Sequence, residues 1–284
     1  MVWEGLFEKK YWVDDRAKHR EKVVQYLREF VKKKDRESLR KLLNELWASE
    51  AFQVDAAIEM RILARGFTFE EVANKLALAL TDPDRLLDEK VPGFGPSSIT
   101  EILFSIDPNK YPLFNKRAVV GLKRLGYEDF EGAYFSRATY ARFADVAERF
   151  FQDYRAVKEY IESKINASIP KFEFVDGILN LVYEGKLTPQ ELEELKRQAI
   201  LDKFPEEEVL NYAVDSVKRA LEQYFNWLKK GDPEDRAVEK AAGYVVGMMV
   251  ASATDKRKKE TLILTLGALA QMAEKIAKFL RELD

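Results

Sequence analysis

The chain has 284 residues, 46% apolar and 34% charged, with 9 prolines and 13 glycines. That composition excludes extended disorder and suits one large helical domain or two modest ones, each able to bury a core. With no cysteine and one histidine, His19, it excludes disulfides, thiolate catalysis, iron–sulfur clusters and cysteine zinc sites, and leaves almost no material for a Ser-His-Asp triad or a histidine metal centre. The formal net charge is −2, and residues 1–187 hold 31 basic against 31 acidic side chains, so a nucleic-acid contact must come from local arrangement and not from bulk charge.

Nearly every segment repeats its apolar residues with helical period. Met1-Val2-Trp3-Glu4 has no basic n-region, so no cleavable signal is expected. His19, in Asp14-Asp15-Arg16-Ala17-Lys18-His19-Arg20, reads as a solvated surface residue. Val23, Val24, Leu27, Phe30 and Val31 form a stripe that stops at Lys32-Lys33-Lys34-Asp35, and Leu39, Leu42, Leu43 and Leu46 form the next. Val54 to Leu63 predicts a helix ending before Gly66. Thr68 with Glu71 predicts a capping box for a helix to about Leu80.

Asp82-Pro83 starts a short helix, and Ser98 to Ile106 is expected to form another with Ser98-x-x-Glu101 as its capping box. Asp107-Pro108-Asn109-Lys110-Tyr111-Pro112 is a turn-rich connector. Asn115 is read as the cap of a helix that ends at Gly126, the residue after its C-cap. Helices near 138–165 and from Phe172 to Tyr183 follow. The aromatic residues Tyr134, Phe135, Tyr140, Phe143, Phe150, Phe151 and Tyr154 have the 3–4 spacing of core packing.

A seam is expected at Gly185-Lys186-Leu187, dividing a domain at 1–187 from a helical bundle at 188–284. In the second part Thr188-Pro189-x-Glu191 and Asp232-Pro233-x-Asp235 each place a cap, a first-position proline and an acid. Pro205 with Glu206-Glu207-Glu208 begins a long helix to Lys230, and a last helix runs from about Lys256 to Leu283. The apolar run Ala241–Ala251 is too short to span a bilayer. Its Gly243-x-x-x-Gly247 suits tight helix packing or a subunit contact. Lys32-Lys33-Lys34 and Lys256-Arg257-Lys258-Lys259 read as surface charge. No segment alternates as a strand, so the fold class is all-α.

The segment with functional content is Val91-Pro92-Gly93-Phe94-Gly95-Pro96-Ser97-Ser98. Its glycines permit a sharp turn that can lie against a phosphate. The turn amides and the following helix N-terminus offer donors to an anion. Such a helix-hairpin-helix reads backbone position and not base sequence. On the helix after Asn115, Lys116, Arg117, Lys123 and Arg124 recur seven apart and share a face that could contact phosphates. The acid pairs Glu70-Glu71, Asp88-Glu89 and Glu128-Asp129 read as exposed and lack nuclease metal-site spacing. No Walker A sequence occurs, and no cofactor or metal is implied.

The stretch from Val91 to about Leu125 resembles the helix-hairpin-helix core of the base-excision DNA glycosylase superfamily. The resemblance puts Ser97 at the position of the lysine that marks lyase-active members, and Asn115 at that of the catalytic aspartate. An amide can neither stabilise an oxocarbenium ion by charge nor deprotonate water. The resemblance therefore implies the scaffold without its chemistry, unless another acid such as Asp107 or Asp129 is recruited. The string from Gly93-Phe94-Gly95-Pro96 through Asp107-Pro108-x-x-Tyr111-Pro112 to Asn115-Lys116-Arg117 also looks like helical modules of prokaryotic restriction and defence proteins. Phe174-Val175-Asp176-x-x-Leu179 suits the closing helix of those modules.

The expectation that follows is a cytoplasmic, non-catalytic, sequence-independent DNA-binding protein of DNA repair or antiviral defence, duplex being the favoured form. Gly93, Phe94, Gly95, Ser97, Ser98, Lys116, Arg117, Lys123 and Arg124 would make the contacts. Residues 188–284 would mediate assembly with a protein partner or with a second copy, and no membrane association is expected. Two alternatives stand beside it: a divergent glycosylase or lyase, and a scaffold subunit of a nucleoprotein complex. The Lys- and Glu-rich, cysteine-free composition is compatible with a thermophilic source.

Overall fold

In the computed structural model the described residues are 4–49, 53–127, 135–202, 218–219, 222–233, 236–237 and 240. Every regular element among them is a helix and none is a strand, so the class is all-α. The chain forms two compact units, Met1–Leu195 and Lys196–Asp284. Close packing in the first unit thus runs past the Gly185–Leu187 turn.

After a 3₁₀ turn at Glu4–Phe7 and a π turn at Lys10–Asp14, α1 spans Asp15–Lys33. Of the predicted stripe it buries Val23, Leu27 and Phe30, each side chain contributing about 1.5–3 kcal/mol of apolar transfer, while Val24 and Val31 are half-buried. Lys34, in the left-handed region, ends it. Asp35 caps α2, Arg36–Glu45, by accepting the Ser38 N–H at 2.8 Å. A 3₁₀ turn at Trp47–Ser49, then α3 (Val54–Arg61) and a 3₁₀ turn at Leu63–Arg65, lead to Gly66. The Thr68–Glu71 capping box starts α4, Phe69–Leu76, and both of its hydrogen bonds are present. The predicted continuation to Leu80 is a separate turn, α5 (Leu78–Thr81). α6 is Pro83–Leu86, capped by Asp82.

Two helices form the centre of the first unit. α7, Pro96–Ile106, buries every residue from Ser98 to Ser105, and α10, Lys171–Tyr183, every residue from Phe172 to Leu179. Helices buried all round mark the middle of a fold. α1 packs against α2, α4 and α7, while α10 packs against α8 (Lys116–Arg124) and α9 (Arg137–Ile165). α9 carries the aromatic cluster, with Tyr140, Phe143, Phe150 and Tyr154 all buried, as 3–4 spacing predicts. The connector between α7 and α8 supplies the N-terminal cap that α10 lacks. The Pro108 carbonyl accepts the Phe172 N–H at 2.9 Å, and Asn109 Oδ1 accepts the Lys171 N–H at 2.9 Å.

Two expectations are corrected. α7 starts at Pro96 with Gly95 as an uncapped N-cap, so Ser98-x-x-Glu101 is no capping box. Glu101 is 1% exposed and points into the core. There it accepts the N–H groups of Trp47 at 2.7 Å and Ala48 at 2.9 Å and faces His19 Nε2 at 3.0 Å. His19 is likewise no surface residue. It is 7% exposed, stacks flat on Trp47 with centroids 3.8 Å apart, and its Nδ1 lies 3.4 Å from Glu45. An imidazole beside two carboxylates can be buried because its ring nitrogens have partners.

The Thr188–Glu191 box is present and opens α11, Pro189–Leu201. In the second unit, residues 222–229 are helical and end in a turn at Gly231. Lys240 pairs with Asp232 at 2.6 Å and lies over the Trp227 ring. The helix start at Pro205, the Gly243–Gly247 spacing, the 241–251 run, the 256–259 basic cluster, the helix 256–283, Tyr134, Glu128 and Asp129 lie outside the described residues, as does Asp235 of the second Asp-Pro start. Among the described residues no helix is long and apolar enough to cross a membrane.

Candidate nucleic-acid interface

The hairpin is a tight turn held from behind. Phe94 N–H donates to the Val91 carbonyl at 3.1 Å, with Pro92 and Gly93 between them. Gly93 has φ +83°, so proline then left-handed glycine gives the signature of a type II turn. A Cβ on Gly93 would stand 2.8 Å from Ile62 Cγ1 and 2.9 Å from its Cδ1. Glycine is therefore required twice over, by backbone conformation and by the approach of Ile62. Val91 and Phe94 are buried beneath the turn.

Gly95 differs. Its φ is −88°, ordinary extended backbone, and a Cβ there would meet nothing within 4 Å. It is exposed and precedes Pro96, which has no N–H. Gly95 puts no side-chain cap on α7, so among the described residues the first N–H groups, on Ser97 and Ser98, receive no side-chain acceptor. The positive end of the α7 dipole coincides with this uncapped start. Ser97 is half-buried and Ser98 is buried.

The segments that carry Ser97 and Asn115, the two positions that the glycosylase resemblance pairs, are joined by Thr100, which reaches the Ser97 carbonyl and the Phe114 backbone. Its hydroxyl lies 2.9 Å from the Pro96 carbonyl, 3.2 Å from that of Ser97 and 3.3 Å from that of Phe114, and it accepts the Phe114 N–H at 3.1 Å. Asn115 Oδ1 accepts the Ala118 N–H at 2.8 Å. It is the cap of α8, as read from the sequence. Asp107, a proposed substitute acid, accepts the N–H groups of Asn109 and Lys110, so its carboxylate holds the connector turn. Among the described residues no group of three or more His, Asp or Glu side chains is arranged to hold a metal ion.

The α8 cations divide into two pairs. Arg124 donates to the carbonyls of Val182 at 2.8 Å and Tyr183 at 2.7 Å and covers the Tyr183 ring. Arg117 lies 3.6 Å from Glu184. Both therefore serve the C-terminal end of α10, where cations complement the dipole. Lys116 and Lys123 are exposed.

Nearer the turn stand residues passed over in the sequence. One open groove of about 160 Å³ runs past Leu43, Ser49, Val54, Gly93, Gly95 and Ser97. A second, about 400 Å³, lies on the other side of the same glycines and is lined by Arg61, Arg65, Phe67, Lys90 and Val91–Gly95. Among the described residues three cations and no carboxylate line it. The adjoining acids are held by other elements, Asp88 by Arg137 at 3.0 Å and Glu89 by Lys75 at 2.6 Å. Lys90 could have been noticed as the hairpin's neighbour, but nothing in the sequence brings Arg61, Arg65 and Phe67 to it.

A different charged cluster is buried between α1 and α10. Arg16 Nε is 2.6 Å from Glu173 and its Nη2 bonds Asp176, while Arg20 pairs with the second Glu173 oxygen. Burial, and then the like charge of Arg16, lower the Arg20 pKa. The cluster ties α1 to α10.

Comparison with protein-family models, curated proteins and solved structures returns no match.

Proposed function

We propose that the protein is a non-catalytic, sequence-independent DNA-binding protein that holds the phosphate backbone at the Val91–Ser98 hairpin. The observation that carries this reading is the uncapped start of α7 beside a groove lined by cations, with no carboxylate among the described residues. Gly95 is exposed, has room for a Cβ and puts no side chain on the first amides of α7, and Arg65 and Lys90 stand beside the turn. A phosphate oxygen there would accept amide hydrogen bonds at the positive end of a helix dipole, with cations supplying long-range attraction. These groups distinguish no base, which matches a grip on backbone. With Asn115 as a cap and Asp107 tied into its turn, neither residue is placed as a general acid or base. We assign the setting to DNA repair or defence against foreign DNA on the resemblance alone.

Gly95→Asp tests this reading, because stability and binding should move apart. Aspartate fits the extended backbone and the open space, and it is a preferred N-cap, so folding stability stays level or rises by a few tenths of a kcal/mol. Its carboxylate would occupy the amides and repel a phosphate. Fluorescence anisotropy with a blunt duplex should show salt-dependent binding by the wild type and a loss of at least tenfold in the variant. Binding unchanged in a folded Gly95→Asp variant would refute the hairpin as the grip.

A further inference from the structure

The groove beside the hairpin has a feature that backbone binding does not use. Phe67 lines it and is 39% exposed, whereas most large apolar side chains of this unit are buried. The ring is presented on a fixed stretch of chain. Its own N–H donates to the Ile62 carbonyl at 3.2 Å, Gly66 before it turns with φ +81°, and Thr68 after it is locked in the α4 capping box. Ile62 also supplies the side chain against which Gly93 closes. One residue therefore sets both walls of the groove, the aromatic one and the hairpin one.

We propose that this groove receives an unpaired nucleotide of DNA, its base stacked on Phe67 and its phosphate between Arg65 and Lys90. The inference rests on the hairpin reading and specifies the form of DNA it holds, a duplex next to a single-stranded segment. Charge selects the occupant: Arg65 and Lys90 line the groove and no carboxylate does among the described residues, which suits a phosphodiester and disfavours an uncharged apolar ligand. The exposed ring then offers a π-face that a base can cover without sequence preference, the usual arrangement for single-strand binding. At about 400 Å³ the groove falls in the range of small-ligand clefts. Paired bases remain stacked inside the helix and cannot reach Phe67, so only an unpaired nucleotide gains the contact.

The test uses the full chain, a blunt duplex, and the same duplex with a short overhang whose first unpaired base is 2-aminopurine. The wild type should bind the overhang duplex roughly tenfold tighter than the blunt one, with quenching of the 2-aminopurine fluorescence. Phe67→Ala should remove both the preference and the quenching while the variant stays folded at the assay temperature with blunt-duplex affinity unchanged, and Phe67→Trp should retain them. Equal affinity for the two duplexes, or a preference that survives Phe67→Ala, overturns the stacking inference. If blunt-duplex binding is at the same time lost in Gly95→Asp, the hairpin reading stands without it. No binding to either duplex overturns both.

Discussion

Gly93 and Gly95 sit two residues apart in one motif and answer to different constraints. At Gly93, φ +83° and the Ile62 side chain under 3 Å away both exclude a Cβ. Gly93→Ala is expected to lower unfolding free energy by about 1–3 kcal/mol, the sum of a left-handed alanine and local overpacking. Urea denaturation checks it, and Gly95→Ala serves as the near-neutral comparison. A silent Gly93→Ala would mean that the turn relaxes away from Ile62. Glu101 is the same lesson in a charged residue. Its spacing from Ser98 imitates a capping box, yet its carboxylate accepts the Trp47 and Ala48 amides. Spacing names the hydrogen bonds a side chain could make locally. A competing donor from a distant segment decides which one forms.

Helix ends were the most legible elements, because caps are local chemistry. Thr68, Asp82, Asn115 and Thr188 each cap the helix whose start was read at that residue, and Asp35, read only as the end of a stripe, caps α2 as well. The α4 box carries a pH dependence. Glu71 accepts the N–H and hydroxyl of Thr68, the backbone bond being the stronger influence, and these hold its pKa below the ordinary glutamate value. A depressed carboxylate contributes stability above the unfolded pKa and loses it as pH falls through the folded one. The Thr68 amide resonance should therefore titrate with a midpoint below about 4.3, the unperturbed glutamate value. A midpoint at or above that value would show that the box is not formed. Helix faces were less legible than ends. Lys116, Arg117, Lys123 and Arg124 read as one stripe, but only the position of α10 determined that Arg124 caps its last carbonyls and that Arg117 pairs with Glu184.

At the scale of the molecule, the buried ion cluster ties the start of the first unit to its end. Arg16 meets Glu173 and Asp176 across more than 150 residues of sequence. Arg16→Leu removes the partner of two buried carboxylates and should cost about 3–5 kcal/mol, measured as a shift of the urea midpoint with unchanged slope. A cost under 1 kcal/mol would show that water or Arg20 compensates.

The sequence by itself determined what depends on near neighbours: the all-α class, most helix limits, the aromatic core of α9 and the hairpin turn with its obligatory glycine. It also fixed, through the absence of cysteine and the single histidine, which chemistries the chain cannot carry. Only the tertiary structure decided that His19 and Glu101 are core partners, that α7 and α10 are buried all round, and that Arg61, Arg65, Phe67 and Lys90 gather beside Gly93. The physical reason is reach. A cap or a turn is settled within about four residues by hydrogen bonds that the chain makes to itself. A groove or a buried ion pair exists only after packing has brought distant segments together, and periodicity has no term for which segments those are.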